Sequence, residues 1–211
     1  MSTQKILTSG PDPSSQFGEP MNPSFEPSSE SNFVSISEHH PTIMQMTVRR
    51  GQLPSLAEIL GRRFGLNLPQ PGNSYSNGIY TLLWVQPGSW LLHGPTEVSE
   101  TLFMELASLL AGIAAVVDQT HGKCVLRLLG PKSREVLARC CRLDLHPRVF
   151  GPGRCAVTLV AHLPCVLRQI DETPCFDLMV ASSLARWLFD ELQEGSPVFG
   201  PRSHAASSGS C

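Results

Sequence analysis

The order of apolar patterns between residues 42 and 118 constrains the fold of this chain most strongly. Four β-prone runs stand in this segment: TIMQMTVRR (42–50), IYTLLWV (79–85), SWLLHG (89–94) and IAAVVD (113–118). Apolar residues at helical spacing separate them, first Leu53, Leu56, Leu60 and Phe64, then Val98, Leu102, Leu106, Leu109 and Leu110. Strands repeat every two residues and helices every 3.6, so the pattern predicts the order β-α-β-β-α-β. This is the split arrangement of ferredoxin-like units.

The second part of the chain starts in the same way. KCVLRLLG (123–130) predicts a strand, and Pro131 then opens a helix, because proline is tolerated in a first helical turn. Three further strands are predicted, CAVTLVAH (155–162), PCVLRQI (164–170) and CFDLMVA (175–181). A last amphipathic helix carries Leu184, Trp187, Leu188 and Leu192. The predicted fold class is therefore α+β, built from two packed α+β halves.

Composition sets the expected domain limits. Residues 1–40 are rich in Ser, Pro, Asn and Glu and lack apolar periodicity, which predicts a disordered tail. Residues 195–211 show the same composition and predict a flexible C-terminal tail. The folded region is expected at 41–194, with halves of about 41–118 and 119–194.

Charge and hydropathy exclude several classes of function. The formal net charge is -2, and no Lys/Arg run is interleaved with aromatic residues, so a nucleic-acid partner is not expected. The longest nearly apolar run, Leu106–Val117, is shorter than the ~20 residues of a membrane span. The first residues lack the apolar core of a secretory signal. We therefore expect a cytoplasmic protein whose seven cysteines are reduced.

The stretch CCRLDLHPRVFGPGRC (140–155) is the densest group of reactive side chains. A zinc site would need Cys140, Cys155, His146 and His162 to converge, yet adjacent or widely spaced cysteines differ from the usual ligand spacing. A thiolate nucleophile at Cys140 or Cys141 is disfavoured, because both stand at the predicted end of a helix. The stretch is interpreted as a helix end followed by a loop.

Two glycine-containing stretches carry cations that suit anion binding. Residues 130–134 place Lys132 and Arg134 on a first helical turn, and residues 150–154 place Arg154 after a Gly-Pro-Gly turn. Neither stretch matches a P-loop or a dinucleotide fingerprint. Specific phosphate binding is therefore the weaker interpretation.

The turn Asp118–Gly122 separates two predicted buried strands. In a catalytic interpretation, Asp118 would orient His121 as a general base, but no nucleophile is fixed nearby by sequence. In the alternative, Asp118 bonds to the backbone of its own turn. We adopt the interpretation of Asp118 as a turn residue and expect no catalytic, cofactor-binding or metal-binding residue on this chain.

Taken in order, several motifs resemble the gamma subunit family of heterotetrameric sarcosine oxidase. They are VRRGQ, FGLNLPQPG, LLWVQPGSWLL, D-Q-T-H-G, R-L-x-G-P-K, C-x-L-D-L-H-P, P-G-x-C-A-x-T and F-D-L before the last helix. The resemblance covers roughly 43–193. It implies a fold similar to the folate-binding aminomethyltransferase domains of the glycine cleavage system.

The resemblance also implies a role. The complex would oxidise sarcosine to glycine, release the methyl carbon as formaldehyde or transfer it to tetrahydrofolate, and reduce oxygen to hydrogen peroxide. FAD, FMN, NAD and folate would lie on the alpha and beta subunits and zinc on the delta subunit, so this chain would be non-catalytic and hold no cofactor. The alternative is a stand-alone folate-binding aminomethyltransferase-like protein, for which Asp118 and Asp171 are the candidate carboxylates.

Overall fold

The computed structural model describes residues 33–194, which contain ten strands and four α-helices. The strands are β1 (Ser35–His39), β2 (Thr42–Val48), β3 (Ser74–Ser76), β4 (Thr81–Gln86), β5 (Ser89–Gly94), β6 (Ala114–Asp118), β7 (Lys123–Leu129), β8 (Cys155–Val160), β9 (Leu163–Asp171) and β10 (Cys175–Ala181). The helices are α1 (Leu53–Phe64), α2 (Ser99–Leu109), α3 (Ser133–Cys140) and α4 (Ala185–Gln193). None of the helices in this part of the chain is long and apolar enough to cross a membrane.

The first sheet has the order β3-β4-β5-β2-β6, and all of its neighbouring strands are antiparallel. Because β5 is antiparallel to both β2 and β4, the latter two run in the same direction with β5 inserted between them. This is a split β-α-β unit, and the β-α-β-β-α-β order predicted from the sequence is confirmed. The short strand β3 adds an edge that the sequence pattern did not predict.

Local sequence sets the limits of the first helix. Pro54 lies in the first turn of α1, where its missing N–H group costs no hydrogen bond. Gly65 follows the last turn with φ 63°, and its N–H group donates to the carbonyls of Gly61 and Leu60. This left-handed end is one that glycine adopts without steric cost.

The second sheet has the order β1-β7-β10-β9-β8 and is also antiparallel throughout. Its first strand comes from the segment that the sequence analysis assigned to the tail, so the predicted tail of residues 1–40 extends too far. The sequence of β1 does not predict a strand, because most of its residues are polar and only Val34 and Ile36 supply apolar surface. The antiparallel pairing of Ser35–His39 with Val125–Leu129 satisfies backbone hydrogen-bonding groups of β1. Residues 1–32 and 195–211, which make up most of the predicted tails, lie outside the described residues.

Residues 33–194 form four layers. One face of the first sheet packs against α1 and α2 through a core that includes Met44, Leu60 and Leu106. One face of the second sheet packs against α3 and α4. The opposite faces meet in a smaller core of Ile43, Leu83, Leu91, Val125, Cys155 and Met179. The two sheets therefore lie face to face between outer helices.

Candidate functional site

The turn after β6 is held by its own backbone. The Asp118 carboxylate accepts a hydrogen bond of 2.8 Å from the N–H group of Thr120. The Thr120 hydroxyl oxygen accepts one of 3.1 Å from the N–H group of Ile43 in the first sheet. His121 is exposed, and its carbonyl accepts a hydrogen bond from the Ser182 hydroxyl in the second half. The Asp118 hydrogen bond confirms the structural interpretation of this turn, and the turn also connects the two halves.

The cysteines of the 140–155 stretch point to different places. Cys140 ends α3, where its thiol donates to carbonyls one turn back. Cys155 begins β8, and its thiol donates to the carbonyls of Asn73 at 3.0 Å and Trp84 at 3.3 Å. His146 and His162 are both exposed. Within residues 33–194 these four side chains do not form a group of possible metal ligands, so the zinc alternative that uses them is wrong.

The thiols of Cys140 and Cys155 are poor nucleophiles. Burial raises the pKa of Cys140 to about 11, and the neighbouring Cys141 adds to that effect. Burial also raises the pKa of Cys155 to about 11. A thiolate is therefore scarce at neutral pH, which argues against covalent catalysis at either position.

The cations proposed for anion binding are engaged inside the protein. The Arg134 guanidinium donates to the carbonyl of Leu145, to the carbonyl of Phe150 at 3.1 Å and to Gln169 Oε1 at 2.8 Å. It also lies 5.2 Å from the centre of the Phe176 ring. Lys132 pairs with Glu135. Arg134 therefore ties the 143–150 loop to the second sheet, and no open phosphate cradle forms around it.

A group of charged side chains lies between the two sheets, where the sequence analysis predicted only strands. Asp177 on β10 accepts two hydrogen bonds from Arg127 on β7, at 2.8 and 3.1 Å. Arg168 on β9 lies 3.9 Å from the same carboxylate. Asp177 is only 4 % exposed at its side chain, so this bidentate pair is largely removed from solvent. We call Asp177, Arg127, Arg168 and the nearby His93 the intersheet cluster.

His93 of β5 is the member of the intersheet cluster that the first sheet contributes. Burial lowers its pKa from 6.5 to about 4; Asp177 opposes that shift, and Arg168 and Arg127 add to it. Its Nε2 atom is buried without a hydrogen-bond partner within the described residues. The imidazole is therefore neutral at physiological pH, and one of its nitrogens remains unused.

The second candidate carboxylate for folate chemistry, Asp171, ends β9 in the second sheet. Its Oδ1 atom is buried and has no hydrogen-bond partner among the described residues. Asp118 ends β6 in the first sheet and is exposed. The two carboxylates thus end strands of different sheets, and Asp118 is already used by its own turn.

An open groove of about 460 Å³ lies beside the start of β8. The β4–β5 hairpin forms one wall with Trp84, Val85 and Pro87, and the 143–150 loop forms the other with Leu143, Val149 and Phe150. Cys155 and Val157 of β8 also line it. Most of these side chains are apolar, so the groove suits an apolar occupant.

The strand β8 continues this groove as the outermost strand of the second sheet. Its outer edge is paired at both ends, since the N–H group of Cys155 donates to Gly72 O and that of Ala161 donates to Cys140 O. Between these ends, Val157 and Leu159 are each 54 % exposed. We call the groove together with Val157 and Leu159 the β8 surface. An apolar strand edge of this kind is a favourable place for contact with another chain.

Comparison with known proteins gives a consistent match. The sarcosine oxidase, gamma subunit family model matches residues 50–197. Sarcosine oxidase subunit gamma from Corynebacterium sp. (strain P-1) is 31% identical over 149 residues, which cover 68% of this chain and 71% of the relative. The subunit gamma from Arthrobacter sp. is 30% identical over 141 residues, which cover 64% of this chain and 68% of the relative.

Solved structures agree with these sequence matches. A chain of the heterotetrameric sarcosine oxidase from Corynebacterium sp. U-96, in complex with pyrrole 2-carboxylate, superposes with a TM-score of 0.68 and 26% identity. The match covers 78% of this chain and 86% of that one. The glycine cleavage system aminomethyltransferase T from Bartonella henselae superposes with a TM-score of 0.58 at 16% identity, covering 77% of this chain and 46% of that one. The second likeness shows that the fold is shared, as the sequence analysis expected.

Proposed function

This chain belongs to the sarcosine oxidase gamma subunit family, and from that premise we propose that it assembles a heterotetrameric sarcosine oxidase without performing the chemistry. The complex would oxidise sarcosine to glycine, release the methyl carbon as formaldehyde or transfer it to tetrahydrofolate, and reduce oxygen to hydrogen peroxide. The partners would be the alpha, beta and delta subunits, in the cytoplasm. FAD, FMN, NAD, tetrahydrofolate and zinc would belong to those subunits.

The β8 surface carries this proposal. Val157 and Leu159 expose apolar side chains on a strand edge, next to a groove with apolar walls. Exposure of such an apolar surface to water is unfavourable. Burial of an aliphatic side chain of this size in an interface contributes roughly 1.5–3 kcal/mol to the free energy of association. We propose that a partner subunit of the complex covers it with an extended apolar segment. The low overall charge of the chain, 16% of residues, is consistent with part of its surface being covered.

The polar groups of the chain support a structural role. The Asp118 carboxylate bonds to its own turn, Arg134 ties a loop to the sheet, and Cys155 has a raised pKa. These three candidates for chemistry are thus engaged in contacts within the fold.

Co-expression of this chain with candidate alpha, beta and delta subunits, followed by size exclusion, tests the proposal. Wild-type chain should elute with the complex, whereas Val157→Glu should elute alone with an unchanged melting temperature. Val117→Glu is the matched control, because Val117 is a valine of similar exposure on β6, the edge strand of the other sheet. Assembly of the Val157→Glu chain at the wild-type yield would contradict the proposed contact. A fully active oxidase that forms without this chain would contradict the assembly role itself.

The isolated chain should bind no flavin and show no oxidase activity. Absorbance of the purified chain in the visible range tests for flavin, and an assay for hydrogen peroxide with sarcosine tests for oxidase activity. Calorimetric titration with tetrahydrofolate tests for a folate site. A stoichiometric folate site on the chain alone would instead support the stand-alone aminomethyltransferase-like alternative.

A further inference from the structure

Three side chains of different ligand chemistry meet at the β1 edge of the second sheet. Glu38 lies on β1, His40 follows that strand, and Cys124 lies on the neighbouring strand β7. The register pairs His39 with Val125, so the next position, His40, stands opposite Cys124. Residues two apart on a strand share a face, which places Glu38 on the same side as His40. The antiparallel pairing thus brings the three side chains together.

The ligand atoms are already close to one another. Cys124 Sγ lies 3.3 Å from Glu38 Oε1, and His40 Nε2 lies 3.2 Å from the same oxygen. All three ligand atoms lie within 4.8 Å of one another, and they form the only such group among the described residues. In a tetrahedral zinc site with bonds of about 2.0–2.3 Å, neighbouring ligand atoms are roughly 3.3–3.7 Å apart. Two of the three separations therefore match a tetrahedral site closely.

We propose that Cys124 Sγ, His40 Nε2 and the Glu38 carboxylate bind one zinc ion, with a water molecule in the fourth position. Thiolate and imidazole ligands together favour zinc over magnesium or calcium, which prefer oxygen ligands. Glu38 and His40 are more than half exposed at their side chains, so an ion reaches the site from solvent. Cys124 is buried beneath them and is held in place by the core between the second sheet and its helices.

Binding exchanges one proton for the ion. Burial and the nearby Glu38 raise the pKa of Cys124 to about 12, so the metal-free thiol is protonated and donates to the Glu38 carboxylate. The ion takes the place of that proton, the sulfur–metal bond forms, and the proton leaves to bulk water. This site is independent of the role proposed above, and it is separate from the zinc expected on another subunit.

The test uses the full chain after treatment with a chelator, titrated with Co²⁺ alone and then with Zn²⁺. Co²⁺ bound to a thiolate gives a charge-transfer band in the near ultraviolet, and Zn²⁺ should abolish it at one equivalent per chain. Cys124→Ser should remove the band. His40→Ala should weaken Co²⁺ binding at least tenfold. His40 is exposed, so this variant keeps the fold even if Cys124→Ser does not.

Two variants control for other thiols and histidines. Cys165→Ser removes a different buried cysteine of the same sheet, and His121→Ala removes a different exposed histidine. Both should bind Co²⁺ as the wild type does. Absence of the band in the wild type, or an unchanged affinity in His40→Ala, would overturn the proposal.

Discussion

Replacing Asp177 by Asn removes the one carboxylate of the intersheet cluster while preserving its shape. In the wild type, the carboxylate accepts hydrogen bonds of 2.8 and 3.1 Å from Arg127 and lies 3.9 Å from Arg168. The substitution leaves two guanidinium groups close together between the sheets without the Asp177 carboxylate that both of them approach. His93 is neutral there and offers no compensation.

The expected cost follows from burial. Removing one partner of a buried ion pair costs about 3–5 kcal/mol, since the remaining charge stays away from water. The side chains of Arg127 and Arg168 are 21% and 11% exposed, so partial solvation places the expected loss near the lower end, at about 3 kcal/mol. For a chain of this size that corresponds to a drop in melting temperature of about 6–12 °C.

Urea unfolding of the isolated chain measures this loss, with Asp190→Asn as the control. Asp190 accepts a hydrogen bond from Arg186 on the same helix, and the side chains of Arg186 and Asp190 are 75% and 43% exposed. Losing such a pair costs no more than about 0.5 kcal/mol. If the unfolding free energy of Asp177→Asn lies within 1 kcal/mol of that of the control (roughly a factor of 5 in the unfolding equilibrium), the ion pairs of the intersheet cluster do not stabilise the fold.

Three further perturbations test other parts of the structure. The pKa of His93 is lowered to about 4, so the unfolded chain takes up a proton first as pH falls from 6.5. Above pH 6.5, His93 does not lower the free energy of unfolding. As the pH falls towards 4, protonation of His93 in the unfolded chain lowers that free energy by up to about 3 kcal/mol. Urea unfolding at pH 7 and 4.5 should show a smaller decline in His93→Leu, and equal declines would refute the assignment. Gly130→Ala should lower the melting temperature, because φ is 134° there and an added Cβ would lie 2.3 Å from Phe33 O; an unchanged melt would contradict that contact. Deleting residues 1–40 should cost at least about 1.5–3 kcal/mol more than deleting residues 1–32, through loss of buried Val34. Equal melting temperatures of the two truncated chains would show that β1 adds nothing.

The first sheet was predictable because its elements carry strong and different periodicities. The leucines of α1 and α2 repeat at helical spacing, β2, β4 and β5 are apolar runs, and turn residues separate β4 from β5. The strand β1 was not predictable in the same way. Its sequence, SISEH, is mostly polar, and its backbone partner β7 lies far away in the sequence.

The intersheet cluster could not be predicted, because its charged members come from separate strands. Asp177 and Arg127 are fifty positions apart, and only the register of β10 against β7 places them opposite each other. Each looked like a single charged residue in an apolar strand. In contrast, the Asp118 turn was predictable, since its hydrogen bond spans two positions.

The pairing of β1 with β7 has a consequence for synthesis of the chain. Ser35 and Leu129 are 94 positions apart, and the whole first sheet is encoded between them. At translation rates of about 5–20 residues per second, β7 leaves the ribosomal tunnel about 5–20 s after β1. During that interval β2 to β6 can complete the first sheet from neighbouring segments. The strand β1, the first of the described residues to be synthesised, is therefore among the last of their strands to pair.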